Sequence, residues 1–248
     1  MGVHPIARAG FGSAPDAYER GRPDYPDVAI SWLTDRLALG PGVRVVDLAA
    51  GTGKLSRPLA ATGAAVLAIE PVQAMRATIG SGIQAVDGTA ESIPLTDDSA
   101  DVVTVGQAFH WFDGDLALAE IHRVLRPGGW LALAWNARQM EDPLQAAIEE
   151  VIGPHGARVP RHRHGAWREA FARTQLFGEL EEVTFPHSQE LDAEGLSARV
   201  ASISAIAALA EQERDGLLSR VRELARQGPV LLSYTCEIQI TRARMPAG

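Results

Sequence analysis

The chain has 248 residues, 46% hydrophobic and 22% charged, the balance of an ordinary globular protein that can bury a core without staples. Its 23 basic and 31 acidic side chains leave a formal charge of −8, which argues against nucleic acid as a partner because broad polyanion binding needs a cationic face. The one cysteine, Cys236, excludes an internal disulfide and a multi-cysteine metal site and fits a reducing compartment. No run approaches the ~18–20 apolar residues of a membrane span, and residues 1–15 lack the apolar core of a secretory leader. The expected location is therefore the cytoplasm, with no membrane partner.

Residues 1–22, rich in Gly, Pro and Ala, read as a mobile arm. Pro23-Asp24-Tyr25-Pro26 is a turn, and Pro26 suits the first turn of a helix with the stripe Ile30, Leu33 and Leu37, closed by Gly40-Pro41-Gly42. Val43–Leu48 is a short apolar run that reads as a buried parallel strand. A Gly-containing turn follows, then a helix over 54–62 with Leu55 and Leu59 on one face. The alternation continues with strands at 65–69, 83–86, 101–105 and 130–135 and helices at 72–79 and 115–125. The last of these helices offers Leu116, Ala119, Ile121 and Val124 to the core. Such alternation predicts right-handed crossovers and a parallel sheet. Beyond residue 140 the pattern changes. Helices are expected at 142–152 and 166–174, and a strand at 180–185. Two amphipathic helices follow (Leu196, Val200, Ile203 and Ala207; Leu217, Val221 and Leu224), then a long alternating strand at 231–241. Helices between two strands suggest a sheet extension carrying a helical cap.

The segment richest in chemistry is Val45-Val46-Asp47-Leu48-Ala49-Ala50-Gly51-Thr52-Gly53-Lys54. A strand that runs through small residues into a helix lets the backbone approach a ligand and offers free N–H groups at the helix start. By itself it is equally a tight strand-to-helix turn. Glu70, 17 residues after Gly53 at the end of the second strand, can accept from two ribose hydroxyls, or it is a solvated strand terminus. The two together suit either a nicotinamide cofactor or S-adenosylmethionine. Ser56, where the dinucleotide fingerprint has a third Gly or Ala, speaks weakly against the former.

With Asp87-Gly88-Thr89-Ala90-Glu91 after the third strand and Arg126-Pro127-Gly128-Gly129 before the fifth, the chain resembles the class I S-adenosylmethionine-dependent methyltransferases over residues 43–135. Within them, Tyr18-Glu19-Arg20-Gly21-Arg22-Pro23-Asp24-Tyr25-Pro26 and Gly106-Gln107-Ala108-Phe109-His110-Trp111-Phe112-Asp113 resemble the small-molecule group of fungal-type trans-aconitate methyltransferases and their bacterial relatives. The resemblance implies an α/β, Rossmann-like seven-stranded sheet, mostly parallel with an antiparallel last strand, plus helical cap elements. It implies an arm and lid helix over 1–40, a cofactor core over 41–137, and a cap that completes the sheet over 138–248, all in one globular unit.

The implied cofactor contacts are Asp47, Ala49, Gly51, Gly53, Glu70, Pro71, Met75, Thr89, Ala90, Glu91 and Gln107, with Tyr18 and Arg22 closing from the arm. Two residues depart from the family pattern. Ala49 stands where Gly is usual, which is tolerable if no positive φ is needed there; Thr89 stands where Asp is frequent.

Methyl transfer needs an in-line nucleophile, and positions after the fourth strand face the methyl group in this family. His110 either orients or deprotonates the acceptor, or it braces Trp111 or bonds a backbone carbonyl. Trp111 and Phe112 either wall the acceptor pocket or pack as core, while Tyr25, a further candidate substrate contact, either closes with Tyr18 and Arg22 as a lid or belongs to a poorly ordered arm. The basic run from Arg158 to Arg168, with His162 and His164, is a solvated loop, an anion site, or (least of all, given its arginines) a metal site; no metal is expected. The reading is a methyltransferase acting on a small-molecule acceptor, on a carboxylate or hydroxyl group, as a monomer or homodimer. The alternatives are a cofactor-binding protein that transfers no methyl group and, further off, an RNA methyltransferase.

Overall fold

Strand β1 (Arg44–Leu48) is apolar apart from its exposed first residue, Arg44, and Asp47, and from Val45 onward it is buried inside a seven-stranded sheet. In this computed structural model, which describes residues 15–153, 155 and 162–245, the other strands are β2 (Ala65–Ile69), β3 (Gln84–Val86), β4 (Ala100–Gly106), β5 (Leu125–Arg138), β6 (Glu181–Leu191) and β7 (Val230–Arg242). The order is β3-β2-β1-β4-β5-β7-β6. The first five strands pair in parallel, and β7 runs antiparallel between β5 and β6. The sheet thus has the expected form, with an antiparallel last strand. The chain leaves β1 in one direction to β2 and β3 and returns to its other side with β4. The crevice at the carboxyl ends of β1 and β4 is therefore the switch point where such sheets bind ligands.

The helices are α1 (Pro15–Gly21), α2 (Asp27–Arg36), α3 (Ser56–Ala61), α4 (Gln73–Arg76), α5 (Gly114–Val124), α6 (Pro143–Ile152), α7 (Arg168–Arg173), α8 (Ala193–Ala201), α9 (Ser204–Ala207) and α10 (Glu211–Glu223). Strand alternation sorts the core. Val46, Leu48, Leu131, Leu133 and Trp135 face the side covered by α5 and α7. Val45, Ala132, Ala134, Cys236 and Ile238 face α2 and α3. A third cluster, built on Leu196, Val200, Leu217, Val221, Leu232 and Tyr234, holds α6, α8 and α10 over the end of β7.

Several expectations are corrected. Residues 15–21 form a helix rather than part of a mobile arm; residues 1–14 lie outside the described residues. The buried stripe of α5 is Ala117, Leu118, Ile121 and Val124. Leu116 is 48% exposed and Ala119 is also exposed, so the helix is rotated from its expected phase because Asp113 caps it by accepting from the Leu116 N–H. Strand β6 runs to Leu191 rather than Phe185 and carries Pro186, which an edge strand tolerates. β5 also extends beyond 130–135 at both ends, with a register shift opposite Ala100 and Val102. The single helix expected through Leu196 and Ala207 is two, broken between Ala201 and Ser204. Among the described residues no helix is long and apolar enough to cross a membrane, and no cluster of three metal-ligating side chains occurs.

Candidate functional site

The crevice opens into a cavity whose floor is built from the four turns that follow β1 to β4. After β1 the backbone passes through left-handed conformations at Ala49 (φ 52°), Gly51 (φ 59°) and Gly53 (φ 84°). Ala49 therefore does adopt the positive φ that would make glycine the easier residue, and it carries that strain at the mouth of the site. Gln107, the first residue after β4, is likewise left-handed (φ 60°), so two strained non-glycine residues face each other across the switch point.

Glu70 ends β2 and is 5% exposed. One carboxylate oxygen accepts from the Gly51 N–H at 2.9 Å and the other from the Val72 N–H at 2.8 Å. Burial pushes its carboxyl up, while those two N–H groups and the neighbouring Arg76 oppose the shift. The Arg76 guanidinium donates to the Glu70 carbonyl and sits 3.3 Å from Asp87, which ties α4 to the end of β3. In the turn after β3, Gly88 is required: a β-carbon there would lie 2.7 Å from Pro94 Cδ and 2.9 Å from Ile69 Cγ2. Glu91 accepts from the Asp113 N–H at 3.1 Å, joining that turn to the start of α5.

Asp47 lies below this floor. It is fully buried and accepts from Ser56 Oγ at 2.5 Å and Thr104 Oγ1 at 2.9 Å, which ties the start of α3 and β4 to β1. Burial pushes its carboxyl up to about 6 against those two hydrogen bonds.

Most of the expected contacts come together. Tyr18, Ala49, Gly51, Glu70, Pro71, Met75, Thr89, Ala90, Glu91, Gln107, Trp111 and Phe112 all line the main cavity. Five do not. Asp47 and Tyr25 border a smaller recess beneath Tyr18 and Ala49. Gly53 packs its Cα side toward Ile79. Arg22 lies in a separate side cavity. His110 is not among the residues lining the main cavity; its ring lies 5.0 Å from that of Trp111 and 5.4 Å from that of Trp135. Burial, with His162 and Arg22 nearby, pushes His110 down to about 3, so the imidazole is neutral across the physiological range.

The two histidines of the basic run part company. His162 turns inward, stacks on Trp135 at 4.0 Å and 15°, and sits 2.7 Å from Glu237, whereas His164 is exposed. Arg161 lies outside the described residues.

Three further residues at the site went unsingled in the sequence. Asn136, at the end of β5, donates to the carbonyls of Pro23 and Asp24, both at 3.3 Å, and so holds the chain between α1 and α2. Ser202 accepts from Arg22. Arg199 is buried on α8. The signal for Arg199 was available, since a charge three residues after Leu196 and beside Val200 falls on the apolar stripe of that helix.

The methyltransferase-domain family matches residues 46–133. An uncharacterized methyltransferase of Mycobacterium tuberculosis is 39% identical over 224 residues, covering 89% of this chain and 87% of that one. An uncharacterized methyltransferase-like protein of Schizosaccharomyces pombe is 33% identical over 216 residues, covering 86% and 84%. Among solved structures, a protein assigned as a type II methyltransferase of Anaeromyxobacter dehalogenans superposes with a TM-score of 0.65 at 24% identity, over 91% of this chain and 99% of that one. The [4+2]-cyclase SpnF shares the fold at a TM-score of 0.53 and 19% identity, over 91% and 85%.

Proposed function

The chain belongs to the methyltransferase family, and on that premise we propose that it transfers a methyl group from S-adenosylmethionine to a small-molecule acceptor at a carboxylate or hydroxyl oxygen. The observation that carries this reading is Glu70. Its carboxylate lines the cavity with one backbone N–H on each oxygen, so each oxygen keeps a lone pair for one of two vicinal ribose hydroxyls. The left-handed turn at Ala49 and Gly51 suits the cofactor's amino-acid end, and Met75 with Thr89, Ala90 and Glu91 suits its adenine.

Bound there, the cofactor supplies an electrophilic methyl group. The chain's own residues then position and exclude. Glu70 and the β1 turn hold one reactant. Trp111 and Phe112, on the cavity wall beyond Gln107, orient the other and keep water out. Alignment of this kind can supply roughly 7–11 kcal/mol of a barrier. His110 stands behind that wall, neutral and packed between Trp111 and Trp135, and its part is to brace the wall.

Titration calorimetry with S-adenosylhomocysteine tests the reading. The wild type is expected to bind. Glu70→Gln turns an acceptor oxygen into an amide that faces a backbone N–H, and loss of a charge-assisted bond worth about 1.5–3 kcal/mol should weaken binding roughly tenfold to a hundredfold. Absence of binding by the wild type would remove the proposal. Binding without product release across small acids, phenols and lipid-like acceptors would favour a protein that holds the cofactor without transferring its methyl group.

A further inference from the structure

On the face of the sheet covered by α5 and α7, a row of flat rings runs from the cavity wall towards the last strand. Trp111 lines the main cavity. The His110 ring lies 5.0 Å from it and 5.4 Å from that of Trp135 on β5. Trp135 stacks in turn on His162, at 4.0 Å and 15°. Trp167 closes the row, its ring 5.5 Å from His162 and inclined by 24°. The row joins three separate pieces of chain: the turn after β4, strand β5 and the run at 162–167.

The polar edges of these rings are fastened mainly from β7. Trp135 pairs with Glu237 across the β5–β7 ladder, and Glu237 and Gln239, two residues apart, share the face on which Trp135 stands. The Trp135 Nε1–H donates to Gln239 Oε1 at 2.9 Å. His162 Nε2 is 2.7 Å from Glu237 Oε2. A carboxylate only accepts, so this contact puts a ring proton on Nε2 and fixes the plane of the imidazole. The side chains of His162 and Glu237 are 16% and 29% exposed, so water competes for the bond less than it does at an open surface pair. The Trp167 Nε1–H donates to the His162 carbonyl at 3.2 Å, which ties the turn itself to the row.

The two histidines are otherwise loosely held. His110 Nδ1 and His162 Nδ1 are buried, and among the described residues neither has a hydrogen-bond partner. Contact with the neighbouring rings therefore supplies what hydrogen bonds do not. Close-packed flat rings transmit orientation, because each has few arrangements open to it once its neighbour is fixed. Glu237 is the point at which this row is anchored by charge.

We infer that Glu237 and His162 are positioning residues for methyl transfer: the carboxylate fixes the His162 ring, and Trp135 and His110 carry that orientation to Trp111 on the acceptor wall. The inference rests on the reading of Trp111 as that wall. It gives the inward histidine of the run at 158–168 a part distinct from a solvated loop, an anion site or a metal ligand. It also makes the last strand a determinant of a cavity that it does not line.

The test places 5-fluorotryptophan in the full chain and reads fluorine NMR, in which each of the five indoles gives its own line. Single Trp→Phe variants assign the lines. Glu237→Leu and His162→Phe should each displace or broaden the Trp111 line of the free protein, and should cut the shift that S-adenosylhomocysteine produces in it by at least half. The lines of Trp32 and Trp130, which pack on the other face of the sheet, should keep their wild-type places and so certify the variants as folded. Glu237→Gln keeps an oxygen that accepts from Nε2 and should restore most of the wild-type behaviour. If Glu237→Leu disturbs the Trp32 line, His162→Phe decides alone, since it keeps a ring on Trp135 and removes only the bond to Glu237. The inference is overturned if these variants move the Trp135 and Trp167 lines but leave Trp111 in place, or if Glu237→Gln behaves like Glu237→Leu. It is equally overturned if S-adenosylhomocysteine binds the wild type without moving the Trp111 line. Failure of the wild type to bind S-adenosylhomocysteine strikes the methyltransferase reading instead, and the Trp111 line of the free protein still scores the coupling.

Discussion

Replacing Asp47 by Asn isolates the electrostatic burden of the site's foundation. The Asp47 carboxyl is fully buried beneath the β1 turn, and burial raises it from an ordinary 3.8 to about 6. At about 1.4 kcal/mol per pH unit, the rise is a penalty of about 3 kcal/mol on the folded, ionised protein. The folded protein keeps this proton to higher pH than the unfolded chain. The group therefore costs almost nothing below about pH 3, its penalty grows as pH rises towards 6, and it levels off above about pH 7. About 1.4 kcal/mol of that change falls between about pH 5 and pH 8. Asparagine keeps the shape and both partners, because the hydroxyl of Ser56 or Thr104 can rotate to accept from the amide. Urea unfolding of both proteins at the two pH values gives the readout, with equal m-values certifying the comparison. The stability gap should move in favour of Asp47→Asn by about 1.4 kcal/mol on going to about pH 8. Parallel pH profiles for the two proteins would refute the reasoning, since they would mean that burial does not penalise this charge.

Two further outcomes follow from backbone geometry. Ala49→Gly relieves a left-handed alanine, worth about 1–2 kcal/mol, against about 0.5–1 kcal/mol of added chain entropy. A melting temperature a few degrees higher is expected, and a lower one would show that the loop is not strained at that residue. Gly21→Ala places a β-carbon 2.3 Å from the Arg199 N and 2.5 Å from the Ala198 carbonyl carbon, both backbone, so α1 cannot stay docked on α8. Limited proteolysis should then cut within residues 16–25 far faster than in the wild type, and S-adenosylhomocysteine should bind more weakly because Tyr18 leaves the cavity wall. A wild-type digestion pattern would count against docking through that glycine.

The half of the molecule that holds the cofactor was legible because its instructions are local. Val45 to Leu48 could be read as a strand buried on both faces, and Gly51, Gly53 and Glu70 fall at fixed offsets from strand ends. The packing of α1 against the end of α8 was not, because it is assembled from distant pieces: Arg22 meets Ser202 across 180 residues of sequence. The second half of β6, beyond Phe185, escaped because an edge strand carries Pro186, His187 and Gln189 where a central strand would carry apolar residues. The phase of α5 was lost because Asp113 begins the helix one step from where its leucines alone suggest. Sequence spacing pointed to His110 as the group facing the acceptor. In the fold its ring packs beside Trp135 on β5, an aromatic neighbour that no local pattern around residue 110 reveals.

Strand β7 lies between β5 and β6, so β6 has no neighbour in the sheet until residues 230–242 have been made. During synthesis the parallel half, complete by residue 138, can close around the β1 turn while residues 181–191 wait without a partner. The last strand then enters as a wedge. In the same step it brings Tyr234 to Arg199 and Cys236 to Asn136, so the recess lined by Arg22, Arg199 and Asn136 is the final part of the molecule to acquire its shape.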